Sequence, residues 1–277
     1  MKTLGKLWRI IASGFCFAFF GMATWLASLA LLPLYRWKSS STEEYRRKVQ
    51  RLVQGFFRLF TSTIEFVGVM KLQFRGEEFL QPNTPCVVVA NHPTLIDVVL
   101  LLSRLPQTTC IIKAGLYENF FLKHMVSAAG FICNRGNTQD LMDQCVEALQ
   151  RGDSLLVFPE GTRSLGHQLQ PFQRGAARVA LRHPASIVPI VITCKPSALQ
   201  KGQPWYDVPT RAFEVTLEVQ SPLTPTDHIK EGAPAPAAAR QLTRHLKGFF
   251  EQELARRINS TEESQHESQV EGSSSYN

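Results

Sequence analysis

The sequence predicts an α/β fold, a mostly parallel sheet covered by helices, with an N-terminal membrane-embedded helical segment ahead of it. Two observations carry that reading. Between residues 71 and 257, short β-branched runs alternate with longer stretches of helical period, and such alternation implies parallel strands joined by crossover helices. Before them, residues 10–35 contain no charged side chain, enough apolar length to cross a bilayer.

The elements follow in order. Residues 10–35 are too long for a signal-peptide core, and Arg36-Trp37-Lys38 follows in place of a clean cleavage site. Gly14, Gly21 and Pro33 could bend the segment, so a re-entrant hairpin stays open beside a straight span. Residues 43–66 read as a long helix with Tyr45, Val49, Leu52, Val53, Phe56, Phe60 and Ile64 at helical spacing. That face fits packing on the protein's own core, an interfacial position, or both. Strands are expected near 71–75, 86–90, 109–113, 131–134, 154–158, 187–192 and 213–219. Helices are expected near 95–104, 117–128, 138–150, 172–182 and 236–256. Residues 220–235, rich in Pro and Ala, read as a linker loop. From residue 258 the chain is Ser, Glu and Gln with little apolar content, which predicts a disordered tail. The domains are therefore an anchor with an amphipathic helix over 1–70, a folded body over 71–257 and a polar tail over 258–277.

Charge is polarised along the chain. Residues 1–70 hold ten Lys/Arg and three Glu, a net of +7 that equals the formal charge of the whole protein. A basic excess in the most apolar region points to anionic lipid headgroups, and no nucleic-acid motif argues otherwise. More cations follow the apolar segment (Arg36, Lys38, Arg46, Arg47, Lys48, Arg51) than precede it (Lys2, Lys6, Arg9). By the positive-inside tendency the body faces the cytoplasm. The six cysteines lie scattered in apolar runs without paired spacing, as small buried hydrophobes do in a reducing compartment. No zinc or EF-hand spacing is present, and no metal is expected.

Two strand ends carry the chemistry. The apolar run 86–90 leads into Asn91-His92-Pro93-Thr94-Leu95-Ile96-Asp97. Pro93 ends the extended segment, because proline cannot donate to a ladder. From Thr94 the pattern turns helical, so His92 and Asp97 fall where a strand hands over to a helix, at the sheet edge where open α/β sheets bind ligands. A carboxylate five residues on can hold the imidazole in one tautomer and leave the other ring nitrogen free as a base. Read alone, the pair equally fits a strand-end histidine satisfied by a backbone carbonyl. The second end is the run 154–158 entering Pro159-Glu160-Gly161-Thr162-Arg163-Ser164. A Pro/Gly turn after a buried strand exposes backbone N–H groups suited to an anion, Glu160 brings a carboxylate to the same rim, and Arg163 adds a planar fork that fits two phosphate oxygens.

Together, Asn-His-x-x-x-x-Asp and Phe158-Pro-Glu-Gly-Thr-Arg-Ser164 resemble the glycerolphosphate and lysophospholipid acyltransferases, whose best-known members acylate 1-acyl-glycerol-3-phosphate. Gly130-Phe-Ile-Cys-Asn-Arg135 and Val188-Pro-Ile-Val-Ile192 resemble two further motifs in family order. The departures are Thr94 where the family usually has Ser, Pro93 where it often has Gln, and Asn134 where an acid is more common. They spare the His–Asp pair and leave the acceptor open. The resemblance implies a glycerolphosphate acyltransferase-like fold and transfer of a fatty acyl group from acyl-CoA or acyl-carrier protein to a lipid hydroxyl. His92 and Asp97 would be catalytic. Glu160, Gly161, Thr162 and Arg163 would bind the acceptor, with Arg135 and Lys113 as further cations. No cofactor beyond the acyl donor is implied, and the partners are membrane lipids and that donor. Other acceptors remain open, among them other lysophospholipids, glycolipids and aryl-polyene lipids. So does a membrane-anchored lipid-binding protein without catalysis. A serine hydrolase is disfavoured by the absence of a Gly-x-Ser-x-Gly elbow.

Overall fold

The computed structural model describes residues 2–80, 84–165 and 168–274. Two helices, α1 (Lys2–Trp37) and α2 (Thr42–Phe66), precede β1 (Met70–Arg75). Then come β2 (Val87–Ala90), α3 (Asp97–Arg104), β3 (Thr108–Lys113), α4 (Ala114–Tyr117), α5 (Lys123–Ala128) and β4 (Ile132–Asn134). The chain continues through α6 (Thr138–Gln150), β5 (Ser154–Val157), α7 (Gly175–Arg182), β6 (Ile187–Lys195), β7 (Phe213–Val219) and α8 (Ala235–Ser274).

The strands form one seven-stranded sheet in the order β1-β7-β6-β2-β5-β3-β4. Every neighbouring pair is parallel except β6 and β7. The central strand β2 is Val-Val-Val-Ala, buried throughout, because a parallel sheet is covered on both faces. Its side chains alternate. Val88 and Ala90 join the core beneath α2, α3 and α5, whereas Val87 and Val89 join the core shared with α6, α7 and α8, the period of two a pleated strand imposes. Pro189 lies inside β6, opposite Val89. Its neighbour Ile187 bonds away from β2, to Leu223, so by alternation the missing N–H of Pro189 also faces away from β2, and no bond to β2 is lost.

α1 is long and apolar enough to cross a membrane, yet it is also packed along the body. The Phe20 ring lies 4.8 Å from Phe60 and 5.8 Å from Phe57. The Trp8 indole donates to the Val67 carbonyl at 3.0 Å, and a side chain on Gly14 would meet the Trp205 ring at 3.1 Å. The opposite face leaves Leu7, Ile11, Phe15, Met22, Leu26 and Leu29 exposed. α2 begins on a reciprocal cap, in which Ser41 accepts from the Glu44 amide and Glu44 accepts from the Ser40 amide, the pattern that satisfies orphan helix donors. α2 is tied to the body by Arg46, which pairs with the buried Asp153 at the head of β5.

Two expectations differ in detail. The helix expected over 117–128 is split into α4 and α5, because the Asn119 side chain accepts from the Phe121 amide and turns the chain. α8 runs on to Ser274, through residues expected to form a disordered tail. Extending an existing helix by one residue is far easier than nucleating one, and Glu- and Gln-rich sequence does not oppose it. Residues 275–277 of that expected tail lie outside the described residues.

Candidate active site

β2 and β5 are adjacent and parallel, so the two motif loops leave the sheet side by side at its carboxyl edge. The Asn91 side chain continues the sheet where the chain leaves β2. Its Nδ2 donates to the Ile192 carbonyl at 2.8 Å and its Oδ1 accepts from the Ile192 amide at 2.7 Å. It mimics a backbone unit and fixes the start of the turn.

Asp97, fully buried, opens α3. Its Oδ2 accepts from the Thr94 amide at 2.7 Å, and its Oδ1 accepts from the Thr94 hydroxyl at 2.5 Å. The same Oδ2 lies 2.7 Å from His92 Nδ1. A carboxylate only accepts, so Nδ1 carries the hydrogen and Nε2 is the basic nitrogen. Nε2 has no partner among the described residues, and the imidazole is partly exposed. The ring stacks on Phe158, with centroids 4.3 Å apart. The tautomer and the ring plane are thus both set from below, and the free nitrogen points outward.

Glu160 joins the two loops. Its Oε1 accepts from the His92 amide at 3.0 Å and the Ser164 hydroxyl at 2.7 Å, and its Oε2 accepts from the Gln170 amide at 2.8 Å. The Ser164 amide returns a bond to the His92 carbonyl at 2.8 Å. Glu160 is only 4% exposed. The carboxylate expected at the rim is therefore turned inward, onto three donors of the protein. Gly161 adopts φ +64°, open to glycine without strain, and its N–H bonds back to Phe158. The amides of Thr162 and Arg163 have no partner among the described residues, which makes them the unfilled donors of this turn.

Arg163 is half-committed. Its Nη1 donates to the Leu199 and Gln200 carbonyls at 2.9 and 2.8 Å, and no described residue bonds Nε or Nη2. Leu199 is held at φ +54°, a region that costs a branched residue about 1–3 kcal/mol. Its carbonyl also accepts from the Leu95 amide at 3.0 Å. The 196–200 turn thus braces both motif loops. Sequence reasoning missed it, since only Pro196 marks a turn there, and it missed the bracing by Asn91 and Phe158 although both sit inside motifs. Lys113 and Arg135 end β3 and β4 on the same edge. At about 4.8 Å per strand they stand roughly 10 and 14 Å from the end of β2. Both are exposed, and Arg135 lies 5.5 Å over the Tyr117 ring. The structure therefore gathers His92, Asp97 and the 160–163 turn, and leaves these two cations at a distance.

Beside this edge opens an apolar cavity of about 1100 Å³, lined by Leu95 and Ile96 of the first motif, Val98 and Val99 of α3, and Phe20 and Phe57 of α1 and α2.

An acyltransferase family model matches residues 71–193, the stretch that builds the sheet edge just described. A 1-acyl-sn-glycerol-3-phosphate acyltransferase of Brassica napus chloroplasts is 30% identical over 155 residues, covering 54% of this chain and 44% of that protein. A probable enzyme of the same name from Mycoplasma pneumoniae is 29% identical over 194 residues, covering 65% and 68%. The chain spans about half the length, or less, of the plant relatives it matches. The fold is that of the 1-acyl-sn-glycerophosphate acyltransferase PlsC from Thermotoga maritima, at a TM-score of 0.65 and 19% identity over 90% of this chain and 98% of that one. The α/β architecture is the one this structural match shares.

Proposed function

We propose that the protein moves a fatty acyl group from a thioester, on coenzyme A or an acyl-carrier protein, to the free hydroxyl of 1-acyl-glycerol-3-phosphate, giving phosphatidate. One observation carries the reading. A histidine with a fixed tautomer and a free Nε2 stands beside a large apolar cavity, on an edge that also carries Arg163.

The acceptor hydroxyl gives its proton to His92 Nε2 as its oxygen attacks the thioester carbonyl. A carbon–oxygen bond forms, the carbon–sulfur bond breaks, and the proton passes from the imidazolium to the leaving thiolate. Asp97 stabilises the imidazolium and holds its plane without taking the proton, the division of labour of a serine-hydrolase triad. No protein nucleophile is required. The acyl chain occupies the apolar cavity, while Nε and Nη2 of Arg163 and the Thr162 and Arg163 amides meet the acceptor's phosphate. Lys113 and Arg135, at a distance on the same edge, add positive potential rather than direct contacts. Holding hydroxyl and carbonyl in line supplies much of the acceleration. No metal or cofactor takes part.

The exposed stripe of α1 meets the lipid that supplies the acceptor and receives the product. Of the six cations from Arg36 to Arg51, Arg46, Arg47 and Lys48 pair within the protein, which leaves Arg36, Lys38 and Arg51 to favour the cytoplasmic side. The test is a panel of lysolipids offered to detergent-solubilised protein with each donor. Lysophosphatidate should be converted to phosphatidate faster than lysolipids with larger headgroups. Absence of acyl transfer to every acceptor overturns the reading.

A further inference from the structure

On the sheet face opposite α1, five cations gather. Arg174 precedes α7 and Arg178 follows one turn later, while Arg240, Arg244 and Lys247 of α8 recur at the spacing that places them on one helix stripe. Arg174, Arg240, Arg244 and Lys247 ring a shallow cleft of about 320 Å³ floored by Phe172. Lys247 is paired with Glu251 at 3.0 Å. Among the described residues, none of the four arginines has a hydrogen bond or ion pair from its side chain. The nearest arginine on α7 that is neutralised is Arg182, bound to Asp143 at 2.7 Å. Like charges one turn apart oppose helix formation, so the fold tolerates four arginines here without a countercharge of their own.

We propose that this surface docks an acidic carrier protein that delivers the acyl thioester, a proposal that rests on the acyltransferase reading above and names its donor. Three observations select that partner. First, the stripe from Arg240 to Lys247 extends about 11 Å along α8, the footprint of a row of carboxylates on a helix rather than of one phosphate. Second, it is remote from lipid. The exposed apolar residues of α1 lie on the other side of the sheet, and a membrane potential fades within a Debye length of about 8 Å at physiological salt. Third, it adjoins the chemistry. The Gln173 amide, one residue before Arg174, donates to the Pro159 carbonyl at 2.7 Å, and Gln170 bonds Glu160. The Phe172 ring, 5.8 Å from Phe250, locks that loop to α8. A carrier seated on Arg174 and the α8 stripe is therefore one loop, residues 159–173, from the carboxyl edge that holds His92.

The experiment uses the full chain and R240E/R244E, whose melting temperature should match the wild type because both side chains are exposed and unpaired. Binding of a palmitoyl-loaded acyl carrier protein is measured directly by fluorescence anisotropy, and turnover is followed with that donor and with palmitoyl-CoA. In the double variant, carrier affinity should fall by roughly tenfold or more, since opposed charges both slow association and repel. Carrier-bound KM should rise in step, palmitoyl-CoA KM should stay within about twofold, and wild-type binding should weaken steeply with salt. Carrier affinity unchanged in R240E/R244E, or no binding to the wild type, overturns the docking surface. Equal loss with both donors assigns the patch to coenzyme A and overturns it too. Carrier binding by a protein that transfers no acyl group from either donor keeps the docking surface and sinks the acyltransferase reading instead.

Discussion

Glu160→Gln separates a carboxylate that holds the site together from one that binds substrate. In the structure its two oxygens accept from the His92 amide, the Ser164 hydroxyl and the Gln170 amide. A glutamine turned to keep the first two bonds places its own NH2 against the Gln170 N–H, donor facing donor. One charge-assisted bond is lost, worth about 1.5–3 kcal/mol, and the remaining two weaken with the charge. For a body of 150–250 residues each kcal/mol shifts the melting temperature by about 2–4 °C, so a fall of roughly 3–12 °C is expected. The His92 backbone is held less firmly, so kcat should drop by one to two orders of magnitude at a roughly constant acceptor KM. The assay is a melting curve beside initial rates at varied lysophosphatidate. A raised acceptor KM with melting temperature and kcat unchanged would refute the reasoning and return Glu160 to the acceptor's binding site.

Arg46→Ala leaves Asp153 buried without its cation and should destabilise the protein by about 3–5 kcal/mol in chemical denaturation. Arg46→Met combined with Asp153→Leu should recover most of that loss, and no recovery would mean the pair is not what joins α2 to the body. Arg163→Lys keeps the charge but not the fork, and should raise the acceptor KM by roughly tenfold while sparing the donor KM. Equal weakening of both substrates in initial-rate measurements would confine Arg163 to bracing the 196–200 turn. His245 stacks on His228 with ring centroids 3.8 Å apart, and burial, followed by the charge of His228, lowers its pKa below 6.5. The unfolded chain then binds this proton more readily than the fold does, so the neutral ring's contribution is whole above pH 6.5 and is lost as pH falls from there through the lower folded pKa. Denaturation midpoints at pH 7.5 and 5.5 should differ less in His245→Gln than in the wild type, and identical differences would exclude the pair as a contributor.

The strands and their order along the chain were legible because β-branched runs between helical periods leave few alternatives. The His92–Asp97 contact was legible because five residues across a strand-to-helix turn bring a carboxylate back to a ring nitrogen. What pairs across long sequence separation was not. Nothing near Glu160 reveals that its carboxylate turns inward to the His92 amide, since a Glu beside an Arg in a Gly turn reads as a solvated pair. The strained Leu199 carries no local signal, because φ +54° at a leucine is imposed by the two loops that its carbonyl joins. The docking of α1 was equally hidden. A charge-free stretch has the same composition whether lipid or protein covers it, and only the structure shows Phe20 seated among Phe57 and Phe60.

The central claim is that His92 takes the acceptor's proton. His92→Ala, with its fold checked by an unchanged melting temperature and retained membrane association, should lose roughly 10²–10⁴-fold in kcat with either donor while still binding lysophosphatidate. Turnover near the wild-type rate by that folded variant would contradict the account.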